Sequence, residues 1–206
     1  MKRSLLLILL AGLIAPAGLY AQKVYKNGNK VILDLTEDAG MPKGSVTTTS
    51  KTSLYASYTH TAGELVGEAE NTVNNPINLT VYQKLEVLPY DMNINGEITG
   101  TNNATDQTNS MSMKWSVAFD GCKNLSYGGN NDWRLPTQRE LILMCIFKPA
   151  LESFFNEPFN STAQYWSATE GSDDFAWAIR MSDGLLSSVR TMNSGTRARC
   201  VREVTN

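Results

Sequence analysis

The chain has 206 residues, 42% of them hydrophobic, with 18 Lys and Arg against 20 Asp and Glu, three Cys and a single His. That length suits one ordinary domain, or one domain with a small appendage. Balanced charge excludes the basic surface that nucleic-acid binding needs, and three scattered cysteines with one histidine form no zinc ligand cluster.

The chain opens with Met1-Lys2-Arg3, runs through an apolar block from Leu5 to Leu13, and continues through Ala15-Pro16-Ala17-Gly18 to Ala21. A basic start, a short apolar stretch and a small residue at the end describe a secretory signal peptide over 1–21. Gly12, Pro16 and Gly18 interrupt the block too early for a membrane span. Cleavage after Ala21 leaves 16 basic against 20 acidic side chains and no span. The expected location is exported: cell surface, periplasm or secreted.

Residues 22–77 form a β-rich N-terminal segment or linker. Val24 to Lys26 and Lys30 to Leu35 flank Asn27-Gly28-Asn29, and a glycine there supplies the positive φ of a tight hairpin. Residues 45–62 are rich in Thr and Ser, which suits either extended chain or a polar linker. His60 lies alone among them and supports no Ser-His-Asp site. Residues 78–206 form the main domain. Asn78 to Leu88 alternates as a strand, and Tyr90 to Ser110 is polar with Asn95-Gly96 as a turn.

Trp115, Ala118, Phe119 and Cys122 then recur at i, i+3, i+4 and i+7. That is one face of a helix, with Ser110 or Ser112 as its cap. After the Gly128-Gly129 loop comes Asp132-Trp133-Arg134-Leu135-Pro136-Thr137-Gln138-Arg139-Glu140. Pro136 sets a rigid entry, and Thr137 with Glu140 makes a capping box for a second helix ending near Lys148-Pro149. Arg134 and Glu140 suit a buried charge-assisted pair at that helix start. Ala150 to Phe155 suits a short helical turn. Strands follow at Tyr165–Thr169 and Phe175–Met181, with a return strand at 185–190 after Ser182-Asp183-Gly184 and a last strand at 197–204. Two helices followed by antiparallel strands give an α+β order.

An exported chain meets an oxidising compartment, where cysteines pair. Three pairings are open to Cys122, Cys145 and Cys200. Cys145 lies within an apolar helical run and suits a small buried hydrophobe, which leaves Cys122 with Cys200. That bridge closes most of the C-terminal region and is worth on the order of 4 kcal/mol in the chain-entropy model.

Four blocks together resemble one known family: Trp115 to Cys122, Asn131 to Leu141, Tyr165 to Thr169, and Arg199 to Arg202. The family is the C-terminal domain of the Legionella collagen-like adhesin. The resemblance implies a C-type-lectin-like α+β fold and an exported surface protein that binds glycans. The Arg-Leu-Pro-Thr helix start and Arg-Cys-Val-Arg end also resemble formylglycine-generating enzymes, which use two redox-active cysteines. Only Cys145 remains beyond the proposed bridge, so no catalytic residue, metal or cofactor is expected. The Glu-Pro-Asn and Trp-Asn-Asp motifs of calcium-dependent lectins are absent too.

The expected function is a non-catalytic envelope adhesion module recognising a glycan or a surface protein. The alternative is a minor fimbrial or surface-assembly subunit, whose Thr-rich segment would pair as an added strand with a neighbour. Candidate ligand-binding residues are Asp173 and Asp174 in a loop at 170–174, and Arg180, Arg190 and Arg197, which with Arg199 lie on neighbouring strands as a patch for anionic glycans. Trp133, Arg134, Pro136, Thr137, Glu140 and Trp166 are structural positions. Trp115, Trp133, Trp166 and Trp177 are all expected in the core.

Overall fold

The computed structural model describes residues 24–36, 84–93, 98, 112–172, 174–190 and 195–204. The expected signal peptide, the Thr-rich stretch with His60, the expected turn at Asn95-Gly96 and Asp173 lie outside the described residues.

The architecture is α+β, as the order of elements predicts. Strands β1 (Val24–Asn27), β2 (Lys30–Asp34), β3 (Lys84–Val87) and β8 (Val201–Glu203) make one antiparallel sheet in that order. A second sheet has the order β6 (Leu186–Arg190), β5 (Phe175–Arg180), β4 (Gln164–Ser172), β7 (Thr196–Arg197); β7 runs parallel to β4. Helices α1 (Trp115–Asn124), α2 (Gln138–Ile146) and α3 (Lys148–Glu152) come between β3 and β4 in the chain.

Gly28 takes φ +60° and closes the β1–β2 hairpin. That hairpin does not stand apart from the C-terminal region. Leu33 pairs with Leu85, and Leu85 pairs with Glu203, so residues 24–34 and the last strand share one sheet.

The buried side chains form two clusters. In the first, Trp115, Ala118, Phe119 and Cys122 of α1 pack with Trp133, Trp166, Ala176 and Ala178. The second joins Leu33, Leu35, Leu85 and Val87 to Leu141, Met144, Leu151, Tyr165 and Ile179. Period-two alternation in β4 explains the division: Trp166 faces the first cluster and Tyr165 the second.

Several details depart from the sequence reading. Helix α1 begins at Trp115 with Lys114 at the N-cap and no side-chain cap, so Ser112 is not its cap; Ser110 lies outside the described residues. Strand β4 runs on through Glu170, Gly171 and Ser172, and Glu170 is buried, so most of the expected 170–174 loop is strand. The expected last strand at 197–204 is two strands in different sheets, with the chain crossing at 198–200. Cys200 is held there by a disulfide, and the carbonyls of Ala198 and Cys200 accept from the N–H groups of Met92 and Leu88 at 2.9 Å each. Those bonds take the backbone away from sheet two.

Candidate functional site

The start of α2 is fixed by local chemistry. Thr137 Oγ1 accepts from the Glu140 N–H at 3.4 Å, and Glu140 Oε2 accepts from the Thr137 N–H at 2.9 Å, which completes a capping box. Arg134 donates to both Glu140 oxygens, Nη1 at 2.7 Å and Nη2 at 2.9 Å. The Arg134 backbone also exchanges two 2.8 Å hydrogen bonds with Val201, tying α2 to β8. Cys122 and Cys200 are joined as a disulfide, with Cα atoms 5.5 Å apart, and link α1 to the sheet crossover.

A second charged knot was not legible in the sequence. Asp91, fully buried, accepts from Arg197 Nη1 at 3.1 Å, Arg199 Nε at 2.8 Å and Tyr165 Oη at 2.8 Å. The Arg199 guanidinium lies 4.7 Å from the Phe155 ring centroid and 4.3 Å from that of Phe159. Glu157 closes the knot by accepting from the Asp91 N–H at 3.3 Å. Burial and the neighbouring Asp91 charge raise the Glu157 carboxyl above its usual range. Burial pushes the Tyr165 phenol well above its ordinary value, with Asp91 adding to it.

The expected ligand-binding residues do not converge. Arg197 and Arg199 are buried in that knot and contribute nothing to a surface patch. Arg180 sits at the end of β5, where it holds Asp183 of the β5–β6 turn in an exposed ion pair. Those hydrogen bonds lower the Asp183 carboxyl to about 2. Arg190 lies at the opposite end of the same strand pair, opposite Phe175. Five residue steps separate Phe175 from Arg180, about 17 Å along a strand. Asp174 is exposed at the Phe175 end, and Asp173 is outside the described residues.

The tryptophans supply what the charged residues do not. Trp115, Trp133 and Trp166 are buried, and each donates its indole N–H to a backbone carbonyl, those of Ser167, Tyr127 and Met113 respectively. Trp177 differs from the core expectation in both respects. It is half-buried, and its Nε1 has no partner among the described residues. That nitrogen is turned inward over Gly171, where a Cβ would lie 3.5 Å away. The indole therefore offers ring carbon to solvent. Half-buried Phe175 shares its face, and exposed Ser188 is its cross-strand neighbour. Tyr165 and Ile179, on the same face, pack against α2.

One further surface feature lies near the other end of β5. Ile142, Cys145 and Ile146 of α2, with Met181, Asp183 and Gly184, line a groove of about 470 Å³. Cys145 is half-buried there rather than in the core, and it is a free thiol. Burial raises its pKa.

No helix among the described residues is long and apolar enough to cross a membrane. Among the described residues no group of His, Cys, Asp and Glu could hold a metal ion. No curated protein matches the chain. The family model of the Lcl C-terminal domain matches residues 92–202, more than half of the chain. That span holds the capped start of α2, the disulfide and both strands of the Trp177 face. The chain thus belongs to the Lcl C-terminal domain family, whose members are adhesin-related surface modules.

Proposed function

We propose that this chain is an exported cell-envelope module that recognises a glycan on a lectin-like scaffold and performs no catalysis. The observation that carries the reading is Trp177. Three tryptophans satisfy their N–H groups inside the core, while the fourth turns inward an N–H that has no partner among the described residues and presents a carbon face beside the Ser188 hydroxyl. Sugar rings carry flat C–H faces, and aromatic side chains with one wet side serve such contacts. Two of the three cysteines are bridged, which leaves one thiol where the formylglycine chemistry uses two. Binding of the chain to an array of immobilised glycans tests the reading. Binding that is lost in Trp177→Ala supports it; no binding across the array, with or without calcium, sinks it.

The outer edge of β6 favours a second reading, a structural subunit of a surface assembly such as a minor fimbrial subunit. Open strand edges accept added strands. Protein absent from surface fibres and strictly monomeric removes that reading.

A further inference from the structure

Strand β6 is the edge of its sheet among the described residues. Which of its backbone groups face outward follows from the turn that precedes it. The Arg180 N–H donates to the Leu185 carbonyl, and the Gly184 N–H donates to the Arg180 carbonyl, so Arg180 turns both its backbone groups toward β6. Alternation then turns Ala178 and Ala176 the same way, bonding their register partners Ser187 and Val189. The Trp177 carbonyl accordingly points to β4, where it accepts from Ser167 Oγ at 2.8 Å. Leu186, Ser188 and Arg190 are left with N–H and C=O groups directed away from the sheet.

Those three residues are spaced symmetrically about Ser188. We infer that β6 pairs antiparallel with β6 of a second copy of this chain, across a two-fold axis at Ser188. This register sets Ser188 opposite Ser188 and Leu186 opposite Arg190 of the partner copy. It satisfies every outward-directed group on both strands, and an isologous contact needs that self-complementarity. The composition of the edge agrees. Natural edges are blunted by proline, by charge or by a bulge; β6 carries no proline, and its one charged residue, Arg190, stands at its last position. The other sheet's outer strand, β1, presents the exposed charge of Lys26. Leu185 and Leu186, 47% and 37% exposed, are two of the four large hydrophobic residues left exposed among the described residues; Leu186 opens β6 and Leu185 immediately precedes it.

The pairing also changes the Trp177 face. Trp177 is the register partner of Ser188, so the row runs Trp177, Ser188, Ser188, Trp177 across four strands on one face of a joined sheet. Three strand spacings put the two indoles about 14 Å apart. An extended oligosaccharide rather than a single sugar is the ligand class that spans both. This last step rests on the glycan reading; the pairing itself rests on backbone geometry alone.

Sedimentation velocity of the secreted chain without any glycan tests the pairing. The expected result is a dimer that becomes monomeric in Ser188→Pro, the monomer still unfolding in one cooperative transition, because proline is tolerated where a strand N–H points away from its sheet. In a Cys145→Ala background, Ser188→Cys should form an intermolecular disulfide on oxidation and Ser187→Cys should not, since directly opposed hydrogen-bonded residues sit about 5.5 Å apart. A monomer at all concentrations, or a dimer that survives Ser188→Pro and leaves Ser188→Cys uncrosslinked, overturns it. Because no glycan is present, a failed glycan array and a failed dimer are separate results.

Discussion

Asp91 and Arg199, 108 residues apart in sequence, meet in the interior with Asp91 Oδ1 2.8 Å from Arg199 Nε and 2.6 Å from Nη2. Both side chains are fully buried. The Arg199 Nη1 group also donates to the Glu157 carbonyl at 2.9 Å. Truncating one partner of such a pair strands the other charge without water, at a cost of about 3–5 kcal/mol. Asp91→Ala should lower stability by that amount in urea unfolding, and more than Arg197→Ala, whose side chain reaches closer to solvent. Equal and small losses for both variants would show that the knot does not hold the crossover.

The second charged anchor separates a cap from a buried pair. Thr137→Ala removes a single capping acceptor and should cost about 1 kcal/mol. Glu140→Ala removes the same box and also leaves Arg134 buried without its carboxylate, so its cost should approach 3–5 kcal/mol. Denaturant midpoints of the two variants measure the difference. Near-equal midpoints would mean that Arg134 finds another acceptor.

These two anchors differ in how far they could be read from the sequence, and distance along the chain is the reason. Thr137, Glu140 and Arg134 lie within seven residues, so helix geometry alone predicts their contacts. Arg197 and Arg199 have their partner in a polar stretch that carries no pattern, and alternation alone placed them beside Arg180 and Arg190. What that reading lacked was the sheet crossover at 198–200, which only the disulfide and the Leu88 and Met92 bonds reveal. Trp177 was misplaced for a related reason. Alternation identifies a face but not how much of it a helix covers. The polar Ser188 and Arg190 on the paired strand were the available sign that this end of the face is open.

The disulfide spans a sequence separation of 78 residues. Replacing Cys122 and Cys200 together by Ala should cost on the order of 4 kcal/mol, mainly by freeing the unfolded chain. Thiol titration of the denatured, unreduced protein should find one free thiol, that of Cys145. In the native state that thiol should react slowly at neutral pH, because burial raises its pKa and thins the thiolate. Two fast thiols would contradict the bridge.

Two carboxyls should pull the pH profile in opposite directions. Glu157 has a folded pKa raised above 4.5 by burial and by Asp91, so its protonation favours the folded state. Its contribution is fully present below pH 4.5 and is lost as pH rises through the folded value. Asp183 is lowered from 3.8 to about 2, so its contribution is present above 3.8 and lost as pH falls through about 2. Melting curves of Glu157→Gln and Asp183→Asn against the parent across pH 2–7 resolve the two. Glu157→Gln should gain on the parent at pH 7 and lose that advantage below pH 4.5. Asp183→Asn should show its deficit only above about pH 2, and a small one, because an exposed pair is weak.

The Trp177 face can be tested without disturbing the core. Trp177 is half-buried and leaves no hydrogen-bond partner orphaned among the described residues when it is removed, unlike Trp115 or Trp166. Trp177→Ala should therefore reduce glycan affinity by more than tenfold, since an aromatic anchor at a binding surface is commonly worth about 2 kcal/mol. Trp177→Phe should retain part of the binding, because the exposed surface is ring carbon and the N–H points inward. Gly171→Ala adds a Cβ 3.1 Å from Ser188 Oγ and 3.5 Å from Trp177 Nε1. A shift of a few tenths of an ångström in the Ser188 hydroxyl relieves that contact, while the indole is met at ordinary van der Waals distance and pinned on that side. Its effect should fall on affinity more than on melting temperature. Isothermal titration of the three variants with an array-selected oligosaccharide checks the order. Full affinity in Trp177→Ala would move the binding surface away from this sheet altogether.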